Sequence, residues 1–192
     1  KELASKITKK TKCLVLNSPS NPTGSVYSLE ELKVVAKLAV EHKFFVMSDE
    51  IYEKLIYGNT KHISIASLGK DIYDLTITVN GVSKSYSMTG WRIGYAAGPA
   101  DVMKAIGNLQ SHAASNPASM SQRAVLAALE DSQICVEKMR MEFGKRRDLM
   151  VAGIETIKNI SCVRPEGAFY LFCDISKLKM GSAEVANRLL DE

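Results

Sequence analysis

The chain has 192 residues, 46% of them hydrophobic and 24% charged, with a formal net charge of +4. This is the composition of an ordinary globular protein of one or two domains. No run approaches the roughly 18 apolar residues of a membrane span. No charged segment followed by an apolar one opens the chain as a signal peptide would. Lysines are interspersed with acids rather than clustered, which argues against nucleic acid.

The segment Lys1–Lys12 is polar and reads as the tail of a helix. Cys13–Leu16 is a short apolar run, the pattern of a buried parallel strand. It breaks into Asn17-Ser18-Pro19-Ser20-Asn21-Pro22-Thr23-Gly24, whose prolines, asparagines and glycine demand a loop. Ser28 with Glu31 three residues on is a capping box. Leu32, Val35, Ala36 and Ala39 then recur at helical spacing as far as Lys43. Phe44–Ser48 is a second strand ending at Asp49, so strand, helix and strand form a βαβ unit.

A short helical turn is expected over Ser64–Leu68, and Leu75–Val79 is a third strand. Trp91–Ala97 reads as a fourth strand, closed by Gly98-Pro99, and Asp101 as the N-cap of the next helix. Another helix spans Ser119–Leu129, and a long helical pattern runs from Gln133 to Asn159. In that pattern Met139, Phe143, Met150, Ile154 and Ile157 form an expected core-facing stripe. Cys162-Val163 and Ala168–Cys173 read as strands around Pro165-Glu166-Gly167, and Ser182–Leu190 begins a last helix.

The fold class is therefore α/β, three-layered, with a mostly parallel sheet followed by the start of a small α+β domain. The expected division is 1–132, a connecting helix over 133–159, and 160–192. The four cysteines, Cys13, Cys135, Cys162 and Cys173, contain no CxxC pair and read as reduced core thiols. His42, His62 and His112 fit no triad or metal spacing and are assigned structural roles. No metal site is expected. The first residue is not Met and the last helical pattern stops at Glu192, so the sequence reads as a piece of a longer polypeptide.

The chemistry centres on Asn80-Gly81-Val82-Ser83-Lys84-Ser85-Tyr86-Ser87-Met88-Thr89-Gly90-Trp91-Arg92-Ile93-Gly94-Tyr95. Lys84 stands just past the third strand among small residues. Lysine is a nucleophile only when neutral, so such a residue needs a site that favours the free amine. Arg92, with hydroxyls and glycine backbone nearby, suits a phosphate. An imine-forming lysine beside a phosphate site points to an aldehyde cofactor with a phosphate tail, pyridoxal phosphate. The competing reading is a surface lysine in a serine-rich loop. Ligands of an open parallel sheet gather at the carboxyl ends of its strands. Asn21, Asp49 and Lys84 follow the first, second and third strands respectively.

Gly81-Val82-Ser83-Lys84, then Ser87-Met88, Gly90 and Arg92-Ile93-Gly94, resembles the lysine signature of the class I pyridoxal-phosphate aminotransferases of fold type I, and within them the bacterial aspartate aminotransferases. Asn21-Pro22-Thr23-Gly24 resembles that family's NPTG loop. The resemblance implies that Lys84 holds the cofactor as a Schiff base and moves a proton. It places Asp49 at the ring nitrogen and Tyr52 and Asn21 at the phenolic oxygen. Asn21 also approaches the substrate carboxylate, Arg92 clamps the phosphate and Ser83 assists. Gly81 stands where many relatives carry a serine, which removes one hydroxyl. For Asp49 a helix N-cap, and for Asn21 a simple turn, are the plain alternatives. The family often has a cis peptide at the position of Asn21-Pro22, and one is expected here.

The implied reaction passes an amino group from an amino acid, aspartate, to a 2-oxo acid, 2-oxoglutarate. Aromatic amino acids, alanine or kynurenine are alternative donors. A cytoplasmic homodimer is implied, with Ser115-Asn116-Pro117 resembling a loop near the subunit interface. By the same resemblance, a second phosphate loop and a ring-stacking aromatic lie before Lys1, and the arginine for the substrate α-carboxylate lies beyond Glu192. Arg123, Arg164 and Arg188 do not stand in its context. The alternative from another class is a catalytically silent scaffold or association module.

Overall fold

A computed structural model describes residues 2–191. Its main sheet has four strands: β1 (Cys13–Asn17), β2 (Phe45–Asp49), β3 (Thr76–Gly81) and β4 (Gly94–Ala97), in that spatial order. β1, β2 and β3 run parallel, and β4 returns antiparallel. The fold is thus mixed α/β with a mostly parallel sheet. Among the described residues no helix is long and apolar enough to cross a membrane.

Helix α1 (Glu2–Lys6) precedes β1, and α2 (Leu29–His42) joins β1 to β2. The capping box is formed as read: Ser28 Oγ accepts from Glu31 N–H, and a Glu31 carboxylate oxygen accepts from Ser28 N–H at 2.8 Å. α2 buries Leu32, Val35, Ala36 and Ala39 against Leu16 and Val46 of the sheet, Phe44 just before β2, and Ile65 and Ile72 beyond it. The expected turn at 64–68 is a 3-10 turn over Ile65–Leu68. A short helix α3 (Lys70–Tyr73), not foreseen from the sequence, follows it.

The second half holds α4 (Ala100–Ala113), α5 (Ser119–Glu130), α6 (Ile134–Glu155) and α7 (Ser182–Asp191). A two-stranded antiparallel sheet of β5 (Ser161–Cys162) and β6 (Cys173–Asp174) follows α6.

Several sequence expectations are corrected. Trp91 belongs to a 3-10 turn (Thr89–Trp91) and is exposed, so the fourth strand starts only at Gly94. Pro99, not Asp101, occupies the N-cap of α4; Asp101 falls in the first turn, where a carboxylate is favoured by the helix dipole. Ala168–Phe172 is irregular rather than a strand; Ala168 is left-handed at φ 58° and interrupts the pleat. The buried face of α6 carries Val136 and Val151, while Met150 and Ile157 of the expected stripe are exposed. Arg140 and Arg147 share that inner face, half-buried, and donate to the carbonyls of Ile56 and Pro165. Hydrophobic periodicity could not find a face that is partly arginine. β1 is covered on one side only, leaving Val15 exposed, and Cys13 and Cys135 are exposed rather than core thiols.

Alternation along β2 sends Val46, Ser48 and Glu50 to the α2 side. Glu50 is buried there and takes hydrogen bonds from Ser48 (2.8 Å), Ser64 (2.7 Å) and His62 Nε2 (2.9 Å). Burial pushes its carboxyl up, but the donations from His62, Ser64 and Ser48 outweigh it, and the group titrates below the usual carboxylate range. Such a group stabilises the fold above its unfolded pKa and loses that contribution as pH falls through its folded one. Glu50→Gln should cost roughly 1–3 kcal/mol at neutral pH. It should also flatten the acid limb of the stability profile below about pH 4.3. Denaturant melts across pH check this, and an unchanged acid limb in the variant would refute it.

Candidate active site

β1, β2 and β3 are parallel and in register, Asn17 facing Asp49 and Asp49 facing Val79. Their carboxyl ends therefore meet along one edge. Three loops leave that edge: 18–24, 50–57 and 82–92. A fourth segment, 165–170, reaches it from beyond α6.

Asn17 organises the first loop. Its side-chain Nδ2 donates to the Asp49 carbonyl at 3.2 Å, and its Oδ1 accepts from Asn21 N–H at 2.7 Å. Ser18-Pro19 and Asn21-Pro22 are cis peptides, the second as expected. Gly24 closes the loop at φ 68°, a conformation glycine adopts without strain.

Asp49 ends β2 with its side chain on the face opposite Glu50. Its Oδ1 accepts from Ile51 N–H at 3.2 Å, so it caps the turn that follows. The capping role and a second use of the carboxylate coexist, because a carboxylate has two oxygens with about four acceptor sites. The turn brings Tyr52 to the same side, with Leu55 N–H bonded to the Tyr52 carbonyl at 2.8 Å. Tyr52 is 2% exposed.

Lys84 sits on a helical turn anchored by Val82, which is fully buried against Ile93 and Val125. Tyr86 and Met88 N–H groups both bond back to the Val82 carbonyl. Lys84 Nζ lies 5.9 Å from the Tyr52 ring centre and 5.6 Å from that of Phe169. Ser83 is half-buried on the same turn.

Tyr170 is the member that sequence reading missed. Its hydroxyl is 2.6 Å from the Tyr52 hydroxyl and accepts from Asn21 Nδ2 at 3.4 Å. Phe169 packs edge-on to Tyr52, with ring centres 5.5 Å apart. The run Ala168–Cys173 had looked like a core strand, and nothing in its pattern singles out a tyrosine hydroxyl. Burial pushes the Tyr52 phenol well above its usual range, with Tyr170 and Asp49 adding to the effect.

Asn21, Asp49, Tyr52 and Lys84 are thus drawn to one sheet edge, with Tyr170 bridging Asn21 and Tyr52. Arg92 lies on the same 82–92 loop as Lys84, eight residues further along. It is exposed and left-handed at φ 55°, and its Nη1 donates to its own loop's Thr89 carbonyl at 2.9 Å. One of its five N–H donors is used there and the others are available. Ser85, beside Lys84, is 2% exposed with a hydroxyl that lacks a hydrogen-bond partner. An amine, a carboxylate, a phenol and an amide along one sheet edge fit a pyridine aldehyde that carries a phenolic oxygen and a basic ring nitrogen.

Comparison with known proteins identifies the family. A sequence model described as aminotransferase class I and II matches residues 1–192. The aspartate aminotransferase of Bacillus subtilis is 52% identical over 171 residues, 89% of this chain and 44% of its own length. That of Geobacillus stearothermophilus is 50% identical over the same shares. A crystal structure of an aromatic aminotransferase from Pyrococcus horikoshii superposes with a TM-score of 0.95 at 39% identity, over all of this chain and 51% of that one. The chain spans about half the length of the curated relatives it matches. Aspartate aminotransferases of this family use pyridoxal 5′-phosphate, and the chain belongs to the class I and II aminotransferase family.

Proposed function

We propose that the protein containing this chain moves an amino group from aspartate to 2-oxoglutarate with pyridoxal phosphate, and that Lys84 is the amine that engages the cofactor's aldehyde. The observation that carries the reading is the convergence of Lys84, Tyr52, Asp49 and Asn21 at the carboxyl edge of the parallel strands. The choice of aspartate is supported by the names of relatives at about half identity.

The bound cofactor supplies an electron sink that makes the substrate Cα–H acidic. Lys84 Nζ, when neutral, is the base that takes that proton and, once charged, the acid that returns it. The Asp49 carboxylate holds the proton of the ring nitrogen. Tyr52 and Asn21 donate toward the phenolic oxygen, and Asn21 also serves the substrate carboxylate. Arg92 and Ser83 are the phosphate contacts, Arg92 through donors not engaged by Thr89. Tyr170 is a positioning residue, which fixes the direction of the Tyr52 hydroxyl. A homodimer is the proposed assembly.

Borohydride reduction of the cofactor-loaded full-length protein, followed by peptide mapping, should label Lys84; label on another lysine overturns the assignment. Lys84→Ala should lower aspartate–2-oxoglutarate turnover by at least about 10²–10⁴-fold, the scale of a lost acid–base group.

Tyr170→Phe removes the hydrogen bonds of its hydroxyl with Tyr52 and Asn21, each worth about 0.5–1.5 kcal/mol, and should reduce turnover by roughly 5- to 150-fold. The same variant should let Tyr52 ionise at lower pH, because Tyr170 contributes to holding its phenol up. Ultraviolet titration of tyrosinate checks the sign, and a Tyr52 transition moved upward would contradict it.

A further inference from the structure

Two thiols face one another across the small sheet. Cys162 ends β5 and Cys173 begins β6, and the antiparallel register pairs them directly. Residues directly opposite in an antiparallel pair have Cα atoms about 4.5 or 5.5 Å apart, depending on the hydrogen-bonding position. Both separations lie within the roughly 4.4–6.8 Å that a disulfide spans. Opposed residues also project to the same face of the sheet. Both thiols are free and half-buried, whereas Cys13 and Cys135 are exposed on separate elements. Cys173 also lines a cavity of about 430 Å³ with Phe143, Met150, Phe169 and Tyr170.

We propose that Cys162 and Cys173 form a modification site, a dithiol that a low-molecular-weight disulfide converts to an intrachain disulfide. The Cys162 thiolate attacks one sulfur of the small disulfide, forming a mixed disulfide and expelling one small thiolate. Cys173 then gives up its proton to solvent and attacks the Cys162 sulfur. The Cys162–Cys173 bond forms and the second small thiolate leaves. The protein loses two electrons and two protons, and the reagent is reduced to two thiols. Burial, and then Cys162, push the Cys173 thiol up, which makes Cys162 the attacking partner and Cys173 the resolving one.

The bond closes the loop 162–173. That loop carries Gly167, whose backbone lies against Pro19, and Phe169 and Tyr170, which lie over Tyr52. Oxidation therefore ties down the segment that reaches the sheet edge, without touching Lys84 or Asp49.

Oxidised glutathione is the probe. The folded protein is incubated with it, quenched in acid, alkylated and peptide-mapped. The expected result is loss of two thiols among the four of this chain. The peptides of Cys162 and Cys173 should be joined, two hydrogens lighter, in a chain that still runs as a monomer in a non-reducing denaturing gel. Cys13→Ser and Cys135→Ser should leave that link intact. Cys162→Ser and Cys173→Ser should each abolish it. Full alkylation of both thiols after oxidation overturns the proposal. So do stable glutathione adducts on both without a link, a link found only between chains, or one that forms only in denaturant.

Discussion

The interlock of segment 165–168 with the loop 18–24 is the constraint on which the site depends. Gly24 O accepts from both Glu166 and Gly167 N–H, at 2.9 and 2.8 Å. Ala168 N–H donates to the Leu55 carbonyl and Tyr57 N–H to the Glu166 carbonyl, each at 2.9 Å. A Cβ on Gly167 would stand 2.6 Å from Pro19 Cβ, and one on Gly24 would collide with Pro165 Cβ. Only two backbones without side chains at these points can approach so closely. This contact joins chain segments separated by all of α2 to α6, and it delivers Phe169 and Tyr170 to Tyr52.

The remaining supports reinforce it from the side. Arg147 stacks on the Tyr57 ring, its Cζ 4.7 Å from the ring centre, and donates to the Pro165 carbonyl. The Tyr57 hydroxyl donates to the Ala168 carbonyl, and burial pushes that phenol up to about 12, so it stays a donor through the neutral range. Arg140 secures the Ile56 carbonyl from the same helix. Two arginines on the inner face of α6 thus satisfy carbonyls that irregular backbone would otherwise leave without partners.

β2 separates two kinds of carboxylate on adjacent residues. Glu50 faces α2, where three donors from Ser48, Ser64 and His62 pin the 58–64 segment to the sheet. Ligand atoms of Glu50, Glu53 and His62 lie within 4.8 Å of one another, but the Glu50 oxygens already receive those donors. This cluster reads as an internal tie. Asp49 faces the other way, toward Tyr52. A one-residue shift in register would exchange the two, which is why the strand pairing of β2 matters to the chemistry.

The order of strands through β3 and the helix between the first two, the capping box at Ser28 and the common sheet edge of Asn21, Asp49 and Lys84 were all legible in the sequence, whereas the four-residue α3 was too short to leave a periodic signal. They rest on local periodicity, local hydrogen bonding and the rule that parallel strands place their following loops together. The lysine signature and the Asn21–Gly24 loop were equally legible, because each is a contiguous pattern. Tyr170 and the arginine-bearing face of α6 were not. Each of these depends on which distant segment arrives opposite. Sequence by itself determined the elements and the chemical groups available. Tertiary structure alone decided which of them meet, because the contacts between loops 18–24, 50–57 and 165–170 are backbone hydrogen bonds and close approaches that leave no periodic trace in the residues making them.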